Sequence, residues 1–460
     1  MTGITVRDVV KAVGGRLLCG SEKTELRHIS INSREMRGED LFIPLIGEKT
    51  DAHRFITSAF ENGAAATLTS RHDSMEGDRP WIAVKDTRKA LQDLGAYLRD
   101  RLSLPIVGIT GSVGKTTTRE MVSAALGAGL RVFKTEKNQN GQLGVPITLS
   151  DISPEDEIAV IEMGMSLPGE MEVIARIARV TAAVVTNIGV AHIENLGSRE
   201  RIMEEKLKIQ DGMAEGGVLL LNGDNDLLAG AAARPGIRRL FYGTGKTCDY
   251  RAEDVRLENG FPVFTAVHRD VRVPVRLSVM GEHNVLNAMA ALAVADLYGV
   301  PMDRAALALE GYTGFEGRQR IFDWNGVHMD DDTYNASPDS MRAAVRVLCA
   351  MDCQGRRIAV LADMKELGPQ EKEFHRQVGL FIGGQPVDEV ITLGPLARYI
   401  AEGAMEENPK IRTASFEDRT ELEHHLRSRI TKGDCVLFKG SNSMRLGELA
   451  AHFKENGQEM

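Results

Sequence analysis

The chain has 460 residues, 43% of them hydrophobic and 26% charged, with a formal net charge of -9. That length exceeds one ordinary core and fits roughly two to four globular domains, and the composition excludes a chain that is disordered throughout. An acidic balance with no lysine–arginine block leaves no electrostatic footprint for nucleic acid or an anionic membrane.

Taken in chain order, Met1–Asp8 lacks a basic segment followed by an apolar one, and no later run approaches bilayer length. A cytoplasmic, monomeric protein without membrane insertion is expected. Up to about Asp86, short β-like runs (Leu41–Leu45, Ala65–Leu68, Trp81–Val84) alternate with helical ones, which predicts a small α/β domain over 1–85. Over 86–315 the buried-strand runs Ile106–Ile109, Ile158–Ile161, Ala183–Thr186 and Val218–Leu221 alternate with helical patterns, predicting a mostly parallel sheet covered by helices. Over 316–460, Ile358–Leu361, Glu389–Leu393 and Cys435–Phe438 repeat the alternation and predict a second doubly wound domain. The five cysteines, Cys19, Cys248, Cys349, Cys353 and Cys435, form no paired metal or disulfide framework and read as free thiols.

One segment carries chemistry on its own. After the apolar strand ending at Ile109, Thr110-Gly111-Ser112-Val113-Gly114-Lys115-Thr116-Thr117 is a phosphate-binding loop leading into a helix. Its small residues let backbone N–H groups wrap a phosphate, and the helix aims its positive end there. Lys115 would reach the terminal phosphates of ATP and Thr116 would place a hydroxyl on Mg²⁺. The loop is a variant, since the usual first glycine is Ile109. Ligands of an open parallel sheet bind beyond the C-terminal strand ends, where Glu162 and His192 fall. Read without the loop, Glu162 is as readily a solvated strand end and His192 a satisfied loop histidine. No Asn-Lys-x-Asp guanine-reading motif and no Leu-Ser-Gly-Gly-Gln transporter signature follows.

In order, Gly108-Ile109-Thr110-Gly111-Ser112-Val113-Gly114-Lys115-Thr116-Thr117, Glu162-Met163-Gly164, Thr186-Asn187-Ile188-Gly189-x-Ala191-His192 and Gly281-x-His283-Asn284-x-x-Asn287-Ala288 resemble the Mur ligases. The resemblance implies a small α/β N-terminal UDP-binding domain, a central P-loop ATPase and a C-terminal Rossmann-like domain that closes on the site. It also implies ATP-driven amide formation in peptidoglycan precursor synthesis. Asp332-x-Tyr334-Asn335-Ala336-x-Pro338-x-Ser340, Asp363-Met364-x-Glu366-Leu367-Gly368 with His375, Lys439-Gly440-Ser441-x-Ser443, and Thr135-x-x-Asn138-x-Asn140 with Leu143–Pro146 resemble the members that add D-alanyl-D-alanine to UDP-MurNAc-tripeptide. The chain departs from the pattern at Ala52, Gly141, Ser337 and Ala362.

The same resemblance implies the site. Lys115, Glu162, His192 and Lys206 would be catalytic, with Thr116, Glu162, His192 and Lys206 holding two Mg²⁺ ions. Thr110 to Thr117, Asn284, Asn287, Arg318 and Asp332 would bind ATP, with Arg320 an alternative to Arg318. Read without the resemblance, Asn284 and Asn287 are helix caps in preference to ligand contacts. Ser33, Arg34, Asp40, Phe42 and His53 would hold the UDP moiety, and Asn138, Asn140, Tyr334 and Asn335 the peptide end. Helical periodicity over about Glu200–Asp211 turns Lys206 inward with Ile202 and Ile209 and turns Lys208 outward. Similar ligases carry a carbamylated lysine at this spacing from the histidine, so Lys206 is expected to be carbamylated. Competing readings are a relative adding lysine or diaminopimelate, a folate polyglutamate synthetase, and a silent nucleotide-binding scaffold.

Overall fold

The computed structural model of the chain describes residues 1–136 and 138–454, and the backbone of 458–459. In the first domain the parallel strands His28–Ser30, Asp40–Phe42, Ala64–Thr69 and Trp81–Ala83 are flanked by the antiparallel Arg16–Cys19. The helix Thr87–Arg101 closes this domain's core: Asp86 caps it by accepting from the Arg88 and Lys89 backbone N–H groups, and Ala90, Leu91, Leu94 and Leu98 pack on Leu41, Leu68 and Ile82. A cut at residue 86 would sever that helix from the core it completes.

The central sheet has nine strands among the described residues, the first seven in chain order all joined by parallel pairings. Ile106–Thr110 lies inside the sheet between Ile158–Glu162 and Ala182–Val185, third from one edge. The chain leaves this strand toward one side of the sheet and later returns to the other, so the crevice for a ligand opens at its C-terminal end. The strands Tyr250–Glu258, Phe261–His268 and Val271–Arg276 extend the sheet through antiparallel pairs, with charged residues on the open face. The helix Lys115–Gly127 packs against His283–Leu297, whose residues Ala288–Ala295 are all fully buried. Small side chains on this second helix let the first lie close, which fixes the direction in which the phosphate loop points.

A turn through Gly314 and Gly317, both with positive φ, leads into the third domain. Its core strands Arg412–Phe416, Glu389–Leu393, Arg357–Ala362, Cys435–Lys439 and Val327–Asp331 are parallel, with Arg320–Trp324 antiparallel beside them. Among the described residues no helix is long and apolar enough to cross a membrane.

One strand residue runs against its surroundings. Asp330 is fully buried, and neither carboxyl oxygen has a hydrogen-bond partner among the described residues. Burial first, then the neighbouring Asp332 and Asp331, push its carboxyl well above the usual range. The folded chain therefore keeps a proton that the unfolded chain has lost, and stability falls as pH rises from about 4 toward the folded-state value. Asp330→Asn removes that titration. It is expected to melt close to the parent near pH 4 and above it at pH 8; parallel melting profiles across that range would contradict the assignment.

Candidate active site

The phosphate loop is built by its neighbours. Asn187 O accepts from Ser112 N at 3.0 Å and Asn187 Oδ1 from Val113 N at 2.8 Å, while Ser112 Oγ accepts from Gly189 N at 3.0 Å. Gly111 adopts φ 150°, and a Cβ there would lie 1.9 Å from Thr186 Oγ1, so only glycine fits. Thr186 Oγ1 in turn donates to Val113 O, and Thr110 is buried at the strand end. Lys115 Nζ folds back onto Gly111 O at 2.9 Å. Burial holds this ammonium below the ordinary lysine value, with Arg318 adding to the effect and Glu162 opposing it.

Glu162 is buried beside the loop. Its Oε2 accepts from Thr116 Oγ1 at 2.9 Å and from Arg119 Nη1 at 3.3 Å, and its Oε1 accepts from Asn140 Nδ2 at 2.8 Å. Asn138 Oδ1 accepts the same Asn140 amide at 2.7 Å, so Asn138 and Asn140 reach the site together. A hydroxyl and a carboxylate side by side are hard oxygen donors of the kind Mg²⁺ takes, and they fit that ion. Arg119 follows Thr116 by three residues on one helix face; that spacing was the available signal for it, and the sequence reading passed over it. Lys206 is fully buried in the helix Arg199–Leu207, which passes into a 3₁₀ turn over Lys208–Gly212. Burial first, then the nearby charge of Lys115, hold its amine well below the ordinary value. Lys208 lies on the outside and pairs with Glu205 at 2.7 Å.

Between the central and third domains opens a cleft of about 610 Å³, lined among others by Gly114, Thr117, Asn284, Asn287, Arg318 and Asp332. Asn284 and Asn287 lie within the helix and do not cap it. Instead Asn284 Nδ2 donates to Met280 O at 2.8 Å, Asn287 Nδ2 to Asn284 Oδ1 at 2.9 Å, and Thr118 Oγ1 to Asn287 Oδ1 at 3.0 Å. Gln319, from the hinge, joins this row through Asn284 Nδ2 at 3.3 Å. Asp332 is held by the buried Lys439, whose ammonium donates to its Oδ2 and to Asn335 O. Arg318 lies with its guanidinium 4.2 Å from the Tyr334 ring centroid and its buried Nε unpartnered among the described residues. Arg320 sits in a strand opposite Asp331, so Arg318 is the arginine at the cleft.

A second cleft holds His192, Asn335, Lys365, Glu366 and Ser441. There Glu366 Oε2 meets His192 Nδ1 across the domain boundary, which holds the Glu366 carboxyl below its usual range. The loop carrying Glu366 is firmly built. Asp363 Oδ1 accepts from Leu396 N and Ala397 N, and His375 Nε2 accepts from Met364 N at 2.9 Å.

Residues 25–99, 109–295 and 317–442 match, in turn, the Mur ligase family catalytic domain, the Mur ligase middle domain and the Mur ligase glutamate ligase domain. The chain is 39% identical, over 98% of both chains, to the UDP-N-acetylmuramoyl-tripeptide–D-alanyl-D-alanine ligase of Bacillus subtilis (strain 168). This chain belongs to the Mur ligase family. It is also 33% identical to the ligase of the same name from Escherichia coli (strain K12), over 99% of this chain and 100% of that one. Among solved structures of the family it is similar to MurF from Acinetobacter baumannii, at a TM-score of 0.89 and 31% identity over 98% of both chains. It is likewise similar to the MurF ligase of Thermotoga maritima in complex with ADP, at 0.81 and 32%, covering 94% of this chain and 97% of that one. The three-domain α/β architecture is that of the Mur ligases.

In the first domain of this Mur ligase the expected uridine contacts divide. Phe42 is fully buried in a cluster with Ile56, Ala59 and Phe60, so its ring supports the loop. Asp40 is also buried, its carboxylate accepting from Arg37 N at 2.7 Å. His53 places Nδ1 2.6 Å from Asp51 Oδ1 and accepts from Ser70 N at Nε2, so both ring nitrogens hold the fold. Burial gives all three a part in supporting the fold of this segment. Ser33 contributes its carbonyl to Asn62, which leaves its hydroxyl and the Arg34 side chain as the groups of that set not assigned to packing.

Proposed function

We propose that this Mur ligase joins D-alanyl-D-alanine to UDP-MurNAc-tripeptide in peptidoglycan precursor synthesis, converting ATP to ADP and phosphate in the cytoplasm. The observation that carries the reading is that Gly114 and Thr117 of the phosphate loop line one cleft with Arg318 and Asp332 of the third domain, while Lys115 of the same loop lies close enough to Glu162 and Arg318 to feel both charges and Thr116 donates to Glu162. A carboxylate and an amine do not condense unaided, so the tripeptide carboxylate first attacks the γ-phosphorus and displaces ADP. The dipeptide amine then attacks the acyl phosphate, loses a proton and expels phosphate. Lys115 and Arg318 bring positive charge to the transferring group, where preorganised charge lowers the barrier most. Magnesium, held by Thr116 and Glu162 and, for a second ion, by His192 and the Lys206 carbamate, would supply further charge neutralisation.

The Asn284–Asn287 row would face the adenine edge, and Asp332 the ribose. Asn138 and Tyr334 line one cleft and Asn335 a second that shares Asn442 and Ser443 with it; together with Asn140 they would hold the peptide end. Lys206 would be carbamylated: its buried amine, held well below the ordinary lysine value, adds to CO₂ and releases a proton, leaving an anion at that position. Closure of the third domain about Gly317 would deliver Arg318 to the phosphates. The test is a coupled ADP-release assay with UDP-MurNAc-tripeptide and, in turn, D-Ala-D-Ala, L-lysine and diaminopimelate. Release with the dipeptide alone is expected; release with a free amino acid and none with the dipeptide would move the chain to another branch of the family.

A further inference from the structure

His192 and Glu366 lie 174 residues apart and meet across the domain boundary. Both are non-glycine residues in the left-handed region, with φ of 64° and 62°. That conformation is unfavourable for an ordinary side chain and persists only where the surroundings impose it. Here they do so on both sides. Glu194 N donates to Glu366 O at 3.3 Å, and Gly368 packs so closely that a Cβ there would come within 3.3 Å of Glu194 Cα. On the far side, Asp363 and His375 pin the strand end from which Glu366 projects. Two short segments, one from each domain, thus dock backbone to backbone and bring one carboxylate onto one imidazole nitrogen.

A carboxylate on Nδ1 fixes the tautomer: Nδ1–H donates to Glu366, and the lone pair stays on Nε2. Such a partner also stops ring rotation and raises the basicity of the other nitrogen, which is how carboxylates orient metal-binding histidines. We propose that Glu366 is a positioning residue that prepares His192 to hold the second Mg²⁺, so that closure of the third domain and completion of that ion site are one event. The role rests on the proposed ligase reaction for its biological use, although the ion site itself can be measured without the dipeptide. Glu366 acts through His192 alone.

The experiment is a Mn²⁺ titration followed by electron paramagnetic resonance, on the full chain with a non-hydrolysable ATP analogue and UDP-MurNAc-tripeptide. The parent is expected to take up two ions. Glu366→Ala should bind the first as the parent does and the second about tenfold to a hundredfold more weakly. Glu366→Gln, which keeps the acceptor and loses the charge, should lie between. In turnover, Glu366→Ala should lower kcat and shift its Mg²⁺ dependence upward, with KM for the tripeptide substrate little changed. Parent-like binding of both ions by Glu366→Ala would overturn the proposal, as would equal weakening of both, which would mark a general structural role. If Glu366→Ala melts too low to titrate, Glu366→Gln is decisive: parent-like uptake of the second ion overturns the proposal. If the parent releases no ADP with D-Ala-D-Ala yet takes up two ions, the ligase assignment fails and the role of Glu366 is still read from the titration.

Discussion

Lys115→Ala is expected to lower ADP formation by roughly 10³-fold while leaving the fold intact. The side chain lies on a loop whose shape is set by backbone and side-chain bonds from Asn187, Gly189 and Thr186, none of which uses the lysine. Among the described residues its one hydrogen bond, to Gly111 O, closes a local loop over four residues. Loss of the ammonium therefore removes charge from the place where phosphoryl charge develops and removes little that holds the chain together. The check is a single-turnover measurement of ADP release beside a thermal melt. Parent-like ADP formation would sink the phosphate-loop assignment, and a collapsed melt would show that the loop depends on the lysine.

Lys206→Ala is expected to lose most activity and to regain part of it when short carboxylic acids are added. The parent chain buries this side chain completely next to another cationic lysine, an arrangement that a permanent ammonium would make costly. Carbamylation turns the same side chain into an anion, and a small carboxylate diffusing into the space left by alanine would replace it in part. Mass spectrometry under CO₂ should find the parent heavier by one CO₂ at Lys206, and removal of CO₂ should depress activity reversibly. Activity unaffected by CO₂ depletion, or a variant indifferent to added acetate, would reject the carbamate.

The parts of this chain legible in its sequence are those in which short-range pattern and structure coincide. The apolar runs around Ile106, Ile158, Ala183 and Val218 are strands because both faces of a parallel sheet are covered, and the loop from Gly111 to Thr117 needs no distant residue to be recognised. Lys206 turned inward and Lys208 outward, as helical periodicity requires. The strands over 250–276 were passed over because one face is solvated: Arg251, Glu253, Arg256 and Glu258 mask an alternation whose buried members include Tyr250 and Ala252. The packing of Phe42 on Ile56 and Phe60 and the hydrogen bonds of His53 to Asp51 and Ser70 are not revealed by sequence order. Contacts such as Thr118 with Asn287, 169 residues apart, leave no local trace at all.

The pairing of Arg119 with Glu162 bears on the enzyme at rest. A carboxylate buried beside a phosphate loop would be an isolated anion without a neighbouring cation, and it would then tend to turn away toward solvent. Arg119, itself buried and also paired with Glu120, gives Glu162 a permanent counter-charge from within the same helix that bears Lys115 and Thr116. The Glu162 side chain is thereby kept in one orientation from one catalytic cycle to the next. The acidic group is aimed by the protein itself.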